Sequence, residues 1–372
     1  MSGIYLHIPF CRKRCTYCDF HFSTTFESYR SALLDALVFE IQQRSAELKV
    51  PIQTIYFGGG TPSLLDPHEL RMLFAALHKH FVVDSAVEIT LEANPEDINE
   101  ANLLAWKSLG INRLSIGVQT LSDQTLNWMN RAHGVQEALN SVKLAQDLGF
   151  NNISIDLIYG LPNLTLIEWE QTIDEVLNLG IQHLSAYCLT IEPKTALNHL
   201  VRKKKLQPAD ETQQSEQFLT LLAKAQQKGF EQYEISNFSL PGFHSKHNSS
   251  YWAFKPYIGI GPSAHSFDGH SRRWNVRNNT AYLKGVGKNE QWYEVEELSA
   301  NECWNEQILL GLRTKWGLDT SHLKSSLTQK ENAQIEEFAR LGWLNVNEQH
   351  IILTNAGKLH ADGIAAELFR LD

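Results

Sequence analysis

Apolar positions through about residue 235 follow two alternating rhythms. Short runs rich in β-branched residues predict strands at Ile4 to Ile8, Thr54 to Phe57, Val87 to Leu91, Arg113 to Gly117, Ile153 to Ile158 and His183 to Leu189. Between them apolar residues recur at helical spacing. These segments predict helices at about Tyr29 to Lys49, Pro67 to His80, Asn99 to Leu109, Val135 to Leu148 and Leu166 to Leu179, with another at Glu211 to Lys228. Strands alternating with longer helices mark repeated βα units and a parallel sheet. Six such strands predict an α/β chain built on a partial (β/α)6 barrel, whose functional residues should gather at the carboxyl ends of the strands.

Near residue 236 the rhythm stops, so two domains are expected, 1–235 and 236–372. The second opens on Ser236 to Trp252, a stretch dense in aromatic and imidazole groups. Farther on, Arg340-Leu341-Gly342-Trp343-Leu344 and His350-Ile351-Ile352-Leu353-Thr354 resemble the turn and hairpin of a small, winged-helix-like α+β tail.

Composition narrows the function. The 372 residues are 43% hydrophobic, enough for one large and one smaller core. A formal charge of -9 argues against a nucleic-acid surface, which needs a basic face. The one basic block, Arg202-Lys203-Lys204-Lys205, reads as a solvated loop. The N-terminus lacks the pattern of a signal peptide, and no apolar stretch approaches the ~18 residues that span a bilayer.

Three of the five cysteines, Cys11, Cys15 and Cys18, lie within eight residues as C-x3-C-x2-C. Thiolates so spaced on one loop suit three irons of a cubane iron–sulfur cluster, leaving the fourth iron open. Zinc would want four ligands, usually in two pairs, and no second C-x2-C exists. Cys188 and Cys303 stand alone and read as small buried hydrophobes. Thiolates that must stay reduced suit the cytoplasm.

This loop, following a short strand, resembles that of the radical S-adenosylmethionine (SAM) proteins. Tyr5-Leu6-His7-Ile8-Pro9-Phe10-Cys11 is similar to the branch holding oxygen-independent coproporphyrinogen III oxidase and the HemW haem chaperones. The resemblance implies a [4Fe-4S] cluster on the three cysteines and an electron donor for it. It also implies SAM held by Tyr5, Tyr17, Gly59, Gly60, Thr61, Glu92, Gln119, Arg131 and Asp156. The residue types fit: a carboxylate accepts from ribose hydroxyls, and a guanidinium pairs with a carboxylate. Asp156, within Ile-Ser-Ile-Asp-Leu-Ile, is costly to bury alone and should face the barrel mouth or a cation.

Two features separate the branch's members. His247-Asn248-x-x-Tyr251-Trp252 resembles the haem-associated signature of the HemW family, implying His247 as ligand to haem iron with Tyr251 and Trp252 against the macrocycle, and His265 as the next candidate. Phe20 stands where the oxidase carries a further cysteine, and the oxidase's long extension before the cysteines has no counterpart. The resemblance therefore implies a haem chaperone passing haem to an acceptor protein. The alternative is an oxidoreductase acting on coproporphyrinogen III.

Overall fold

The computed structural model describes residues 2–288, 290–323 and 326–371. Six parallel strands run side by side in chain order: β1 (Gly3–Ile8), β2 (Ile52–Gly59), β3 (Val83–Ala93), β4 (Arg113–Gln119), β5 (Ile153–Tyr159) and β6 (His183–Cys188). Their crossovers carry helices α1 (Arg30–Gln43), α2 (Pro67–His80), α3 (Glu100–Ser108), α4 (Asp123–Trp128), α5 (Val135–Asp147) and α6 (Leu166–Asn178). All six predicted strands form. The predicted helix at 29–49 stops at Gln43, and α4 was hidden by its six-residue length.

Local chemistry starts these helices. Asp66 and Thr165 cap α2 and α6 in reciprocal pairs with Glu69 and Glu168, and Pro67 takes the first turn of α2, where no amide partner is needed. The strands alternate with period two. Ile4, Leu6, Ile8, Ile55, Phe57, Ile89, Leu91, Leu114, Ile116, Ile155 and Leu157 enter the main apolar core with the helices. The intervening positions, among them Tyr5, Thr54, Tyr56, Thr90, Glu92, Arg113, Ser115, Ser154, Asp156 and His183, give the barrel a polar interior.

Past β6 come α7 (Ala196–Arg202), α8 (Glu211–Gln227) and two antiparallel strands, β7 (Glu231–Glu234) and β8 (Asn237–Ser239), which extend the sheet beyond β6. Residue 236 is the turn between these strands. After α9 (Lys246–Trp252) the chain returns to the opposite edge. There β9 (Tyr257–Ile260) pairs parallel with β1, and β10 (His265–Phe267), β11 (Ser271–Asn275) and β12 (Tyr293–Glu297) complete a sheet of 12 strands, with α10 (Asn279–Lys288) packed on α1. Sequence rhythm could not reveal this return, because it depends on pairing over some 250 residues.

A second core, around Trp304, Ile308, Leu312, Ile351 and Ile364, belongs to the C-terminal α+β domain. It joins α11 (Ala300–Leu312), α12 (Gln329–Arg340), α13 (Asn355–Lys358) and α14 (Ala361–Glu367) to a sheet of β13 (Leu318–Asp319), β14 (Leu344–Val346) and β15 (His350–Leu353). Among the described residues no helix is long and apolar enough to cross a membrane.

Candidate functional site

The carboxyl ends of the strands open into a cavity of about 1380 Å³, floored by the barrel and walled on one side by Phe338, Trp343, Lys358, His360 and Ile364 of the C-terminal domain. It exceeds the ~300–1,000 Å³ of ordinary small-molecule sites. Cys11, Cys15, Cys18, Tyr17, Gly59, Gly60, Thr61, Glu92, Gln119, Arg131 and Asp156 all line it. Tyr5 lies just beneath, its ring about 6 Å from that of Tyr56.

The cysteine loop leaves β1 and crosses the mouth. Its backbone is held by Ser23, which exchanges hydrogen bonds with Cys11 and Pro9, and by Thr16, which donates to Met129 and accepts from Leu197. Gly60 lies against this loop so closely that a Cβ would stand 2.6 Å from the carbonyl oxygen of Phe10, and Gly59 adopts φ +109 with the His7 ring 2.7 Å from where its Cβ would be. Both glycines are thus required by the fold, whatever binds beside them.

All three thiols are half-buried. Burial pushes the Cys11 thiol up to about 12 and that of Cys18 to about 11, with the neighbouring thiols adding to the effect. Thr61 donates to the Cys11 sulfur at 3.5 Å, and Nη1 of Arg131 reaches the Cys15 sulfur at 3.6 Å. A hydroxyl and a guanidinium aimed at sulfur favour the thiolates, which is what a cluster would need.

Arg131 is anchored from two other sides. Its Nη2 donates to Asn94 Oδ1 at 2.7 Å and to the Gly117 carbonyl at 2.8 Å; a Cβ at Gly117 would stand 2.9 Å from the side-chain amide nitrogen of Gln119 and 3.3 Å from Nη2 of Arg131. Deeper, Glu92 accepts from the Tyr56 hydroxyl at 2.9 Å and the Gly59 amide at 3.1 Å. Burial, then the charge of Asp156, lift its carboxyl to about 7. Asp156 accepts from Ser115 and from Ser154, and burial lifts it too. Arg113, 1% exposed, is the cation that eases both carboxylates; its Nε and Nη1 have no hydrogen-bond partner among the described residues. The sequence reading missed Arg113 because it stands at the first position of its strand, remote from the carboxyl end. Only the inward register exposes its role.

The structure does not bring His247, Tyr251 and Trp252 to this cavity. They sit on α9, which closes the amino-terminal end of the barrel, with Glu88 and Ser245 receiving its first amides. The His247 ring is 1% exposed; Nδ1 pairs with Thr54 Oγ1 at 2.8 Å and Nε2 with the Tyr251 hydroxyl at 2.7 Å. Burial lowers its pKa to about 3, keeping the imidazole neutral. It stacks on Tyr56 with centroids 5.0 Å apart, so a single aromatic layer separates it from Glu92. In this arrangement neither ring nitrogen is open. Tyr251 and Trp252 are half-buried at the surface, while His265 lies on β10 against Trp274. Cys188, expected as a buried hydrophobe, instead lines the mouth, because strand β6 ends there; Cys303 is buried as expected.

Comparison with known proteins decides the family. The radical SAM superfamily profile matches residues 5–176, and the HemN C-terminal domain profile matches 298–360. The heme chaperone HemW of Bacillus subtilis is 34% identical over 366 residues, covering 96% of this chain and 97% of that protein. The chain belongs to the HemW family. A further HemW, from Escherichia coli, is 35% identical over 71% of this chain and 69% of its own length. A bovine relative, radical S-adenosyl methionine domain-containing protein 1, mitochondrial, is 34% identical over 86% of this chain and 75% of its own. The Escherichia coli coproporphyrinogen III oxidase structure superposes with a TM-score of 0.85, covering 99% of this chain and 90% of the oxidase at 23% identity. HemW proteins and the oxidase therefore share a fold, and the expected radical SAM barrel with its C-terminal domain is the one found here.

Proposed function

We propose that this protein is a haem chaperone that binds haem, passes it to an acceptor protein and carries a SAM-binding [4Fe-4S] cluster. One observation supports the cofactor half above all others: three thiols, each with a polar neighbour or a fellow thiolate, share one cavity with a guanidinium and two carboxylates. Cys11, Cys15 and Cys18 would hold the cluster. Tyr5, Tyr17, Gly59, Gly60, Thr61, Glu92, Gln119, Arg131 and Asp156 would hold SAM. When bound and reduced, such a cluster supplies the electron that splits a carbon–sulfur bond of SAM.

The chain's own contribution is position. Arg131, fixed by Asn94 and Gly117 through Nη2, would hold its positive charge beside the cysteines for the methionine carboxylate. Glu92, held by Tyr56 and Gly59, presents acceptors for ribose hydroxyls, and binding would favour its ionised form.

The haem half rests on the names of the relatives and on the His247-Asn248-x-x-Tyr251-Trp252 segment. His247 would be the ligand to haem iron, with Tyr251 and Trp252 against the macrocycle, once the Tyr251 hydroxyl leaves Nε2. The 1–235 barrel would carry SAM chemistry and 236–372 the haem-associated elements. A reducing compartment such as the cytoplasm suits the thiols.

Room in the cavity beyond SAM supports a second reading, oxidative decarboxylation of coproporphyrinogen III, while Phe20, 70% exposed at the place of the oxidase's extra cysteine, speaks against it. Anaerobic reconstitution with iron and sulfide separates the readings. The chaperone should take up four irons, bind SAM and haem, and leave coproporphyrinogen III unchanged; formation of protoporphyrinogen would overturn it.

A further inference from the structure

Beneath Asp156 a hydrogen-bonded chain runs through the barrel interior toward its amino-terminal end. Ser154 Oγ stands 3.4 Å from Asp156 Oδ1 and 2.8 Å from Nδ1 of His183, and Nε2 of His183 lies 2.8 Å from the Tyr233 hydroxyl. Strand register builds it: Ser154 pairs with His183 across β5 and β6, and period two puts Ser154 and Asp156 on the same inward face. Ser154, His183 and Tyr233 are fully buried, and none of them lines the cavity. The amide of Ser245, the residue that caps α9, is turned toward the same tyrosine hydroxyl.

The chain has a direction. Burial, with the charge of Arg113, keeps His183 neutral, so its ring donates from one nitrogen and accepts at the other. With the proton on Nδ1, the ring donates to Ser154, the Ser154 hydroxyl donates to Asp156, and Tyr233 donates to Nε2. With the proton on Nε2, Ser154 must turn its hydrogen to Nδ1, and Asp156 loses a donor. The Ser245 amide takes a lone pair of the Tyr233 oxygen, which leaves Tyr233 as the donor to Nε2 and selects the first arrangement. Ser115 donates to both oxygens of Asp156 at 3.1 Å from the neighbouring strand, so the carboxylate is held from two sides. For packing alone, an apolar pair in place of His183 and Tyr233 would be nearly neutral. What these two side chains add is a donor directed at a buried carboxylate, which favours its ionised, accepting form.

We propose that His183, oriented by Tyr233, is a positioning residue that sets Asp156 as a hydrogen-bond acceptor for SAM; the inference rests on the assignment of Asp156 to SAM above.

The experiment measures the Kd for SAM by equilibrium dialysis on the anaerobically reconstituted protein. His183→Phe should raise it about five- to tenfold with iron content unchanged. His183→Asn, whose amide nitrogen takes the place of Nδ1 and keeps the donor to Ser154, should return it to within about twofold of wild type. Asp156→Asn/His183→Phe should bind no more weakly than Asp156→Asn alone, because His183 acts through the carboxylate. Tyr233→Phe deletes one oxygen and should raise the Kd about threefold; it carries the test if His183→Phe does not fold. A Kd unchanged in a folded His183→Phe or Tyr233→Phe protein would overturn the proposal, as would losses that add in the double variant. Equal losses in His183→Asn and His183→Phe would reduce His183 to a packing role and overturn it too. If Asp156→Asn binds SAM as wild type does, the assignment of Asp156 fails instead.

Discussion

Replacing Glu92 by Gln should change how stability depends on pH. The Glu92 carboxyl is held at about 7 by burial first and by Asp156 second, above its ordinary 4.5. A carboxyl raised by folding contributes stability that is fully present below pH 4.5 and is lost as pH rises through 7. Each pH unit is worth ~1.4 kcal/mol, so the gap corresponds to ~3 kcal/mol by pH 8, or ~2 kcal/mol once partial solvent access at the mouth is allowed for. Gln removes that slope. It also forfeits an acceptor, since Tyr56 and the Gly59 amide both donate to the carboxylate, at a cost of about 1 kcal/mol. Urea unfolding of the SAM-free protein at pH 5.5 to 8.5 is the assay. The variant should be slightly less stable than wild type at the acid end and more stable by ~1–2 kcal/mol at the alkaline end. A difference that stays constant over this range would refute the electrostatic reasoning. SAM binding gives the mirror image: wild-type affinity should tighten from pH 6 to 8 as ribose hydroxyls select the carboxylate, and the variant should bind weakly without that slope.

Three further outcomes follow from the same geometry. Arg131→Ala should raise the Kd for SAM ~10- to 100-fold with iron content retained, measured by equilibrium dialysis, because the cation facing the methionine carboxylate is lost while the cysteines stay. Because Cys11 and Cys18 are held as thiols to about 12 and 11, cluster assembly must expel protons, so anaerobic iron uptake should accelerate from pH 6.5 to 9; a flat profile would contradict the buried-thiol account. Tyr251→Phe frees Nε2 of His247 and should speed haem association, seen by stopped-flow absorbance, whereas Thr54→Val, which leaves Nε2 bonded, should destabilise by ~1–2 kcal/mol without that acceleration.

What the sequence revealed follows from how each feature is encoded. The six strands and the cysteine loop are local patterns, and Gly59, Glu92, Gln119 and Asp156 lie within or at the ends of strands that period-two alternation marks well. Arg113 escaped notice because its meaning is a register, not a motif. The position of His247 was equally invisible: the segment announces an imidazole beside two aromatic rings, but only the packing of α9 against Thr54 and Glu88 shows that the ring is sealed inside the barrel. Arg202 to Lys205 looked like an ordinary solvated loop, and its exposure agrees.

The most direct test is a haem titration of the anaerobically reconstituted protein, followed by visible absorption, alongside His247→Ala. The account predicts saturable binding of one haem per chain with a ligand-field spectrum that the substitution abolishes while iron and SAM binding persist. Weak association, identical in both proteins, would contradict it.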